Sequence, residues 1–277
     1  MMRGISPTHR SVQLLAAMFS IWHAPVSLAQ SATPEHHMLC DRWLISAGVL
    51  WSQADVTANL NTGRVGAGAL IDFEDDLGLD EDNFVGTLMF RTHFAARWQL
   101  EIEYLRLDRA SEKQLSRTID WGDLDIPINA FARGSFDMED ARVSVGYAFF
   151  KTKDKEVGFG LGAHVMRMEA SLSSERLGSN RAAQTAPLPF VTMYARMALT
   201  DRWLLNVRVD RLSLDTGEID GAVFSSGAEF IYQPRRHFGV GIGYRDISFE
   251  VSSTNQDWRG KAQVQLNGPM LFVSSSF

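Results

Sequence analysis

A single cysteine, Cys40, serves the whole 277-residue chain, so no disulfide can form within it. Long apolar runs are equally scarce. Beyond residue 29 none approaches the roughly 20 residues that a membrane helix needs, which leaves strands as the mature chain's way into a bilayer. An excess of base is missing too. The 27 Lys and Arg stand against 33 Asp and Glu, for a net charge of -6, and so acidic a chain gives nucleic acid no electrostatic footing. No nucleophile elbow or zinc-binding pair of histidines occurs. His93, His164 and His237 lie on three separate stretches. Without a partnered nucleophile, the expectation is a protein that is not an enzyme.

What is present begins with a secretory leader over residues 1 to 29. Arg3 and Arg10 precede an apolar run around Val12 to Trp22, and Ser27-Leu28-Ala29 is a small-x-small cleavage site. Removing it takes away two arginines and no acid, which moves the net charge from -6 to -8. Residues 30 to 41 then form a periplasmic N-terminal segment. Cys40 follows His37-Met38-Leu39, which lacks the small residue expected before a lipid-modified cysteine, so it reads as a plain thiol.

From residue 42 onward the pattern is one of alternation. In the segment Arg202 to Asp215, Trp203, Leu205, Val207 and Val209 fall on one face of an extended chain, and Asn206, Arg208 and Asp210 on the other. The same pattern recurs at Trp43 to Trp51, Trp98 to Tyr104, Ala141 to Phe149, the stretch from Val157, and Phe238 to Arg245. Glu101 and Glu103 on one strand face cannot point into lipid, where ionised groups cost several kcal/mol. Connections near residues 95 to 97, 151 to 155, 200 to 201 and 233 to 236 are short, and most of those between them are long. Ser173 to Pro189 reads as one of the long loops. Together these features predict an all-β fold, a closed antiparallel transmembrane β-barrel of about ten strands spanning residues 42 to 277. Eight or twelve strands follow if residues 60 to 72 or 113 to 136 hide others. A barrel this small has its interior filled by side chains.

The polar faces carry Arg91, Glu101, Glu103, Arg142, Arg196, Arg208, Asp210, Glu229 and Arg245. Isolated buried ions are too costly, so these residues are expected to pair as a lumen charge network, with a narrow charge-selective path as the functional alternative. An acidic run holds Asp72, Glu74, Asp76 and Asp80 around Gly78. Clustered carboxylates can hold calcium, but the spacing misses the EF-hand pattern, so a solvated loop with no cofactor is the simpler expectation. The chain ends on Phe277 after alternating Leu271 and Val273, a form of the terminal aromatic signal that the barrel assembly machinery reads.

The run DFEDDLGL, the start of a strand at Pro187-Leu188-Pro189 and the glycine-alternating GVGIGYR resemble segments of a group of proteobacterial outer-membrane β-barrel proteins. The resemblance implies the outer membrane as location, with its lipid and lipopolysaccharide as neighbours, and no established activity. The expected role is structural or surface-interacting. A narrow porin-like channel is the alternative, and an outer-leaflet lipid-modifying enzyme the third reading.

Overall fold

A sheet that faces lipid cannot leave an edge strand's N–H and C=O groups unpaired, because hydrocarbon offers them no partner. The first and last strands of this chain solve that problem by pairing with each other. The structure is a computed structural model that describes residues 36–60, 70–121, 124–174, 177–215, 219–254 and 259–277. The leader, residues 30 to 35 and much of the first long connection lie outside the described residues. After a short helix α1 (His37–Cys40) come β1 (Trp43–Leu60), β2 (Ile71–Asp72), β3 (Asp82–Ala95), β4 (Trp98–Gln114), β5 (Ile119–Trp121), β6 (Leu124–Ile126) and β7 (Phe131–Lys151). The chain continues through β8 (Lys155–Ser174), β9 (Gly178–Ala198), β10 (Trp203–Asp215), β11 (Ile219–Arg235), β12 (Phe238–Thr254) and β13 (Arg259–Ser276). Ten long strands pair in sequence order, and β13 returns to β1 from Leu44↔Ser276 to Leu60↔Gly260. The ladder is therefore a closed antiparallel barrel, with β2 as a short addition to β1 and β5–β6 as a separate hairpin.

The tight turns at 96–97, 152–154, 199–202 and 236–237 share one end with Trp43 and Phe277, whose backbones exchange N–H···O bonds of 3.0 and 2.9 Å. By the length asymmetry of such barrels this is the periplasmic end. An exposed apolar belt rises from it: Trp43, Ile45, Val49 and Trp51 on β1, Trp98, Ile102 and Tyr104 on β4, Phe159 and Leu161 on β8. Aromatic pairs such as Trp98–Tyr147 (ring centroids 5.0 Å apart) and Trp203–Tyr232 (4.9 Å) form a girdle along the periplasmic rim. Trp43 and Trp51 stand eight residues apart, about 26 Å along a strand at about 3.3 Å per residue, close to the height of an outer-membrane apolar band.

Above the belt the strands continue, and their faces exchange character. On β7 the inward residues pass from Ser144 and Arg142 to Met138 and Phe136, while the outward ones pass from Val145 and Val143 to Glu139 and Asp137. On β12, inward Arg245 gives way to Ile247, Phe249 and Val251, and outward Tyr244 to Asp246. The same change falls at Tyr104 on β4 and Val165 on β8, and these two rows are joined in register through Ala141. The lower barrel thus has apolar outside and charge inside. The upper barrel has polar outside and an apolar core inside, as suits a part standing in water.

This inversion corrects the reading of Ser173 to Pro189 as a loop. Both strands run on, with Ser174 opposite Gly178 and Val165 opposite Pro187. Pro187 and Pro189 are tolerated because the pairing of β9 with β10 ends at Val191↔Arg211, so each needs only one hydrogen-bonded neighbour. Likewise β4 runs to Gln114, β7 starts at Phe131, and the connection between them folds as the β5–β6 hairpin.

Candidate functional site

The alternation places all nine predicted lumen residues inside the barrel and brings them together. Glu101 is the hub. Its Oε1 accepts from Arg142 Nη1 and Arg208 Nη1, both at 2.8 Å, and its Oε2 from Arg196 Nη2 at 3.2 Å, with Arg91 Nη1 at 3.9 Å. Arg142 also clasps Asp210 through Nε at 2.7 Å and Nη2 at 3.0 Å, the fork geometry that suits guanidinium to carboxylate. Arg208 donates to Glu103 at 2.9 Å, Arg245 pairs with the same Glu103, and Arg245 reaches Glu229 at 3.4 Å. Arg142 lies over Phe190, 4.7 Å from the ring centre, and Arg196 over Tyr194 at 4.4 Å.

Sequence reasoning missed some members. Glu156 accepts from Arg196 Nη1 at 2.9 Å and Lys151 at 3.1 Å, and stands 3.6 Å from His93. It follows directly on the short connection near residues 151 to 155 and shares the inward parity of Gly158 and His164, which was the available signal. Gln99 accepts from Arg196 at 2.8 Å, and Asn206 donates to Glu229 at 2.9 Å. Five arginines thus face five carboxylates. The void bounded by Glu101, Glu103, Asn206, Arg208, Glu229 and Arg245 measures about 20 Å³, room for about one water. Inward glycines make space for large neighbours: a Cβ on Gly241 would lie 2.2 Å from the Phe272 ring, and one on Gly162 2.5 Å from Phe190.

The extracellular mouth is closed by the acidic segment, in a different role from the metal site considered for it. Phe73 turns inward against Phe136 (5.7 Å) and Trp121 (6.1 Å), and Leu77 and Leu79 are buried beside it. Asp72 Oδ1 accepts from the backbone N–H of Glu74 at 3.1 Å and of Asp75 at 2.8 Å. Glu74 pairs with Arg109 and accepts from Val56 N–H at 2.9 Å, and Asp76 pairs with Arg117. Ser111 Oγ donates to Leu77 O at 2.6 Å, and Gly78 takes φ +72°, a conformation that glycine adopts without strain. Asp72, Glu74, Asp76 and Asp80 do not converge. Among the described residues no group of three or more His, Cys, Asp or Glu is placed to hold a metal ion.

At the periplasmic mouth Met38 and Leu39 of α1 are buried, and Asp41 accepts two hydrogen bonds from Arg236, at 2.6 and 2.5 Å. Burial opposes ionisation of Asp41, but Arg236 outweighs it and holds the carboxyl below its ordinary range. Of the three histidines, His237 bonds Ser276 O at 2.6 Å beside a periplasmic turn and stacks on Phe277, and His93 bonds Asp41 O at 3.1 Å. His164 has a carboxylate partner, Asp140 at 2.8 Å, in the barrel interior between Phe190 and Phe249. All three stand away from the lipid-facing upper rim.

A closed ladder, an apolar belt and an ion-paired interior define an integral outer-membrane β-barrel. Among solved structures, the outer membrane protease OmpT from Escherichia coli matches over 86% of this chain and 97% of that one, with 8% identity and a TM-score of 0.55. Ail, the attachment invasion locus protein of Yersinia pestis, covers 84% and 98% at 13% identity and TM-score 0.35. The toluene transporter TodX of P. putida covers 87% and 91% at 10% identity and TM-score 0.34. The OmpT likeness is one of fold. No family model matches the chain, and neither does any curated protein.

Proposed function

We propose that the protein is a sealed outer-membrane barrel with a structural or surface-interacting role, and that it neither conducts solutes nor catalyses a reaction. The observation that carries this reading is the filling of the lumen at two levels by two kinds of matter. Ion pairs around Glu101 occupy the membrane level, and an apolar core including Phe73, Phe136 and Phe249 occupies the level above. A solute path would have to break both. What remains for interaction is the polar upper wall and the loops beyond it. Reconstitution of the full mature chain into planar bilayers tests the reading: folded protein that stays electrically silent supports it. Discrete conductance steps from the folded protein favour the narrow channel instead.

A further inference from the structure

The outer surface of the wall formed by β11, β12, β13, β1 and β3 carries two hollows that meet end to end. The lower one, about 640 Å³, lies within the apolar belt and is bounded by Trp51, Phe84, Ala228, Phe230, Tyr244 and Pro269. Its floor is low where small Ala228 sits between the larger Phe230, Ile242 and Tyr244. The upper one, about 300 Å³, is bounded by Gln53, Asp55, Asp75, Glu81, Gln265 and Asn267 together with the mouth segment. Gln53 and Asn267 are cross-strand partners, and Trp51 and Pro269 lie two residues below them on the same face. Tyr244 of the lower hollow donates to Asn267 of the upper one at 3.4 Å, which marks the seam. The seam coincides with the row where the barrel's outer face turns from apolar to polar, the level of the lipid head groups.

We propose that this composite groove binds one acylated glycolipid, with a hydrocarbon chain in the lower hollow and a phosphate-free sugar head group in the upper. The lower part opens onto hydrocarbon, so an acyl chain is the matter available to fill it. The upper part offers amides, which both donate and accept, and carboxylates, which accept, a set suited to hydroxyl groups. No Arg or Lys lines either part. The carboxylates of Asp55, Asp75 and Glu81 make this a negative cleft that repels phosphate. Gln53, Asp55 and Glu81 are exposed and Gln265 is half-buried on this outer face, so their polar groups are open to a ligand. The stacked rings of Trp51 and Phe84, with centroids 6.2 Å apart, present an apolar surface at the seam for the C–H face of a sugar ring.

Native mass spectrometry of the full mature chain, released from micelles holding equimolar glucosyl diacylglycerol, phosphatidylglycerol and phosphatidylethanolamine, tests the assignment. The expected result is one retained glycolipid, favoured over either phospholipid by about fivefold or more. Ala228→Trp fills the lower hollow and should abolish retention. Gln265→Ala with Asp55→Ala should erase the preference for the sugar while the barrel stays folded, as judged by heat-modifiable gel migration. Equal retention of the three lipids, a preference for either phospholipid, or an unchanged glycolipid peak in folded Ala228→Trp protein would overturn it. If Ala228→Trp fails to fold, the wild-type selectivity and the head-group variant decide the matter.

Discussion

At the scale of single residues, Glu101 has the most to lose. Four arginines converge on one buried carboxylate, and removing one side of a buried ion pair leaves uncompensated charge that costs about 3–5 kcal/mol. Glu101→Ala should therefore destabilise the barrel by about that much, read as a lowered urea midpoint for tryptophan fluorescence in lipid vesicles. Arg106→Ala, on the exposed outer face, should cost less than about 1 kcal/mol in the same measurement. Asp41 gives a pH dependence of definite sign. Its carboxyl is held below the ordinary range in the folded chain, so its contribution is present above about pH 4 and is lost as the pH falls through the folded value. The protection of the Met38 to Asp41 amides against hydrogen exchange, taken relative to the intrinsic rate at each pH, should fall on acidification, and Arg236→Ala should lower it at neutral pH and flatten that response.

At the scale of elements, the mouth segment hangs on Phe73. Truncating a buried phenylalanine costs about 3–5 kcal/mol, so Phe73→Ala should leave residues 70 to 81 open to proteolysis on intact cells. The barrel should stay electrically silent, because the ion pairs below are untouched. The same segment shows where a sequence stops being readable. Charge density at Asp72 to Asp82 suggested a solvated loop or a cation site, but what fixes its place is Phe73 and Leu77 entering a core made by distant strands. Arg109 and Arg117, which pair with its acids, come from β4 and the connection beyond it. The lumen charges were legible because a period of two holds across each membrane-crossing half, and parity alone assigned Arg142 or Glu229 to the inside. The upper halves of β8 and β9 were not. Their outward residues are Arg167, Glu169 and Arg181, and polarity on the outward face looks like a loop when lipid is the assumed surroundings.

At the scale of the molecule, orientation follows from the grouping of Trp43 and Phe277 with the tight turns. Cys40 is exposed at that end, so a membrane-impermeant maleimide should modify it only after the outer membrane is permeabilised. Labelling in intact cells would turn the barrel over.

The reversal of inside and outside along each strand also bears on how the protein is made. The chain comes to the membrane from the periplasm, so the half that ends in water must cross the hydrocarbon with its outward charges, among them Arg106, Asp108, Glu139 and Arg167, before the lower half can settle there. Carrying ionised groups through a bilayer centre unaided costs several kcal/mol each. Assembly of this barrel is therefore a transport problem as well as a folding one. The apolar core around Phe73 is out of reach until that crossing is complete, which makes the seating of the mouth segment a late event in biogenesis.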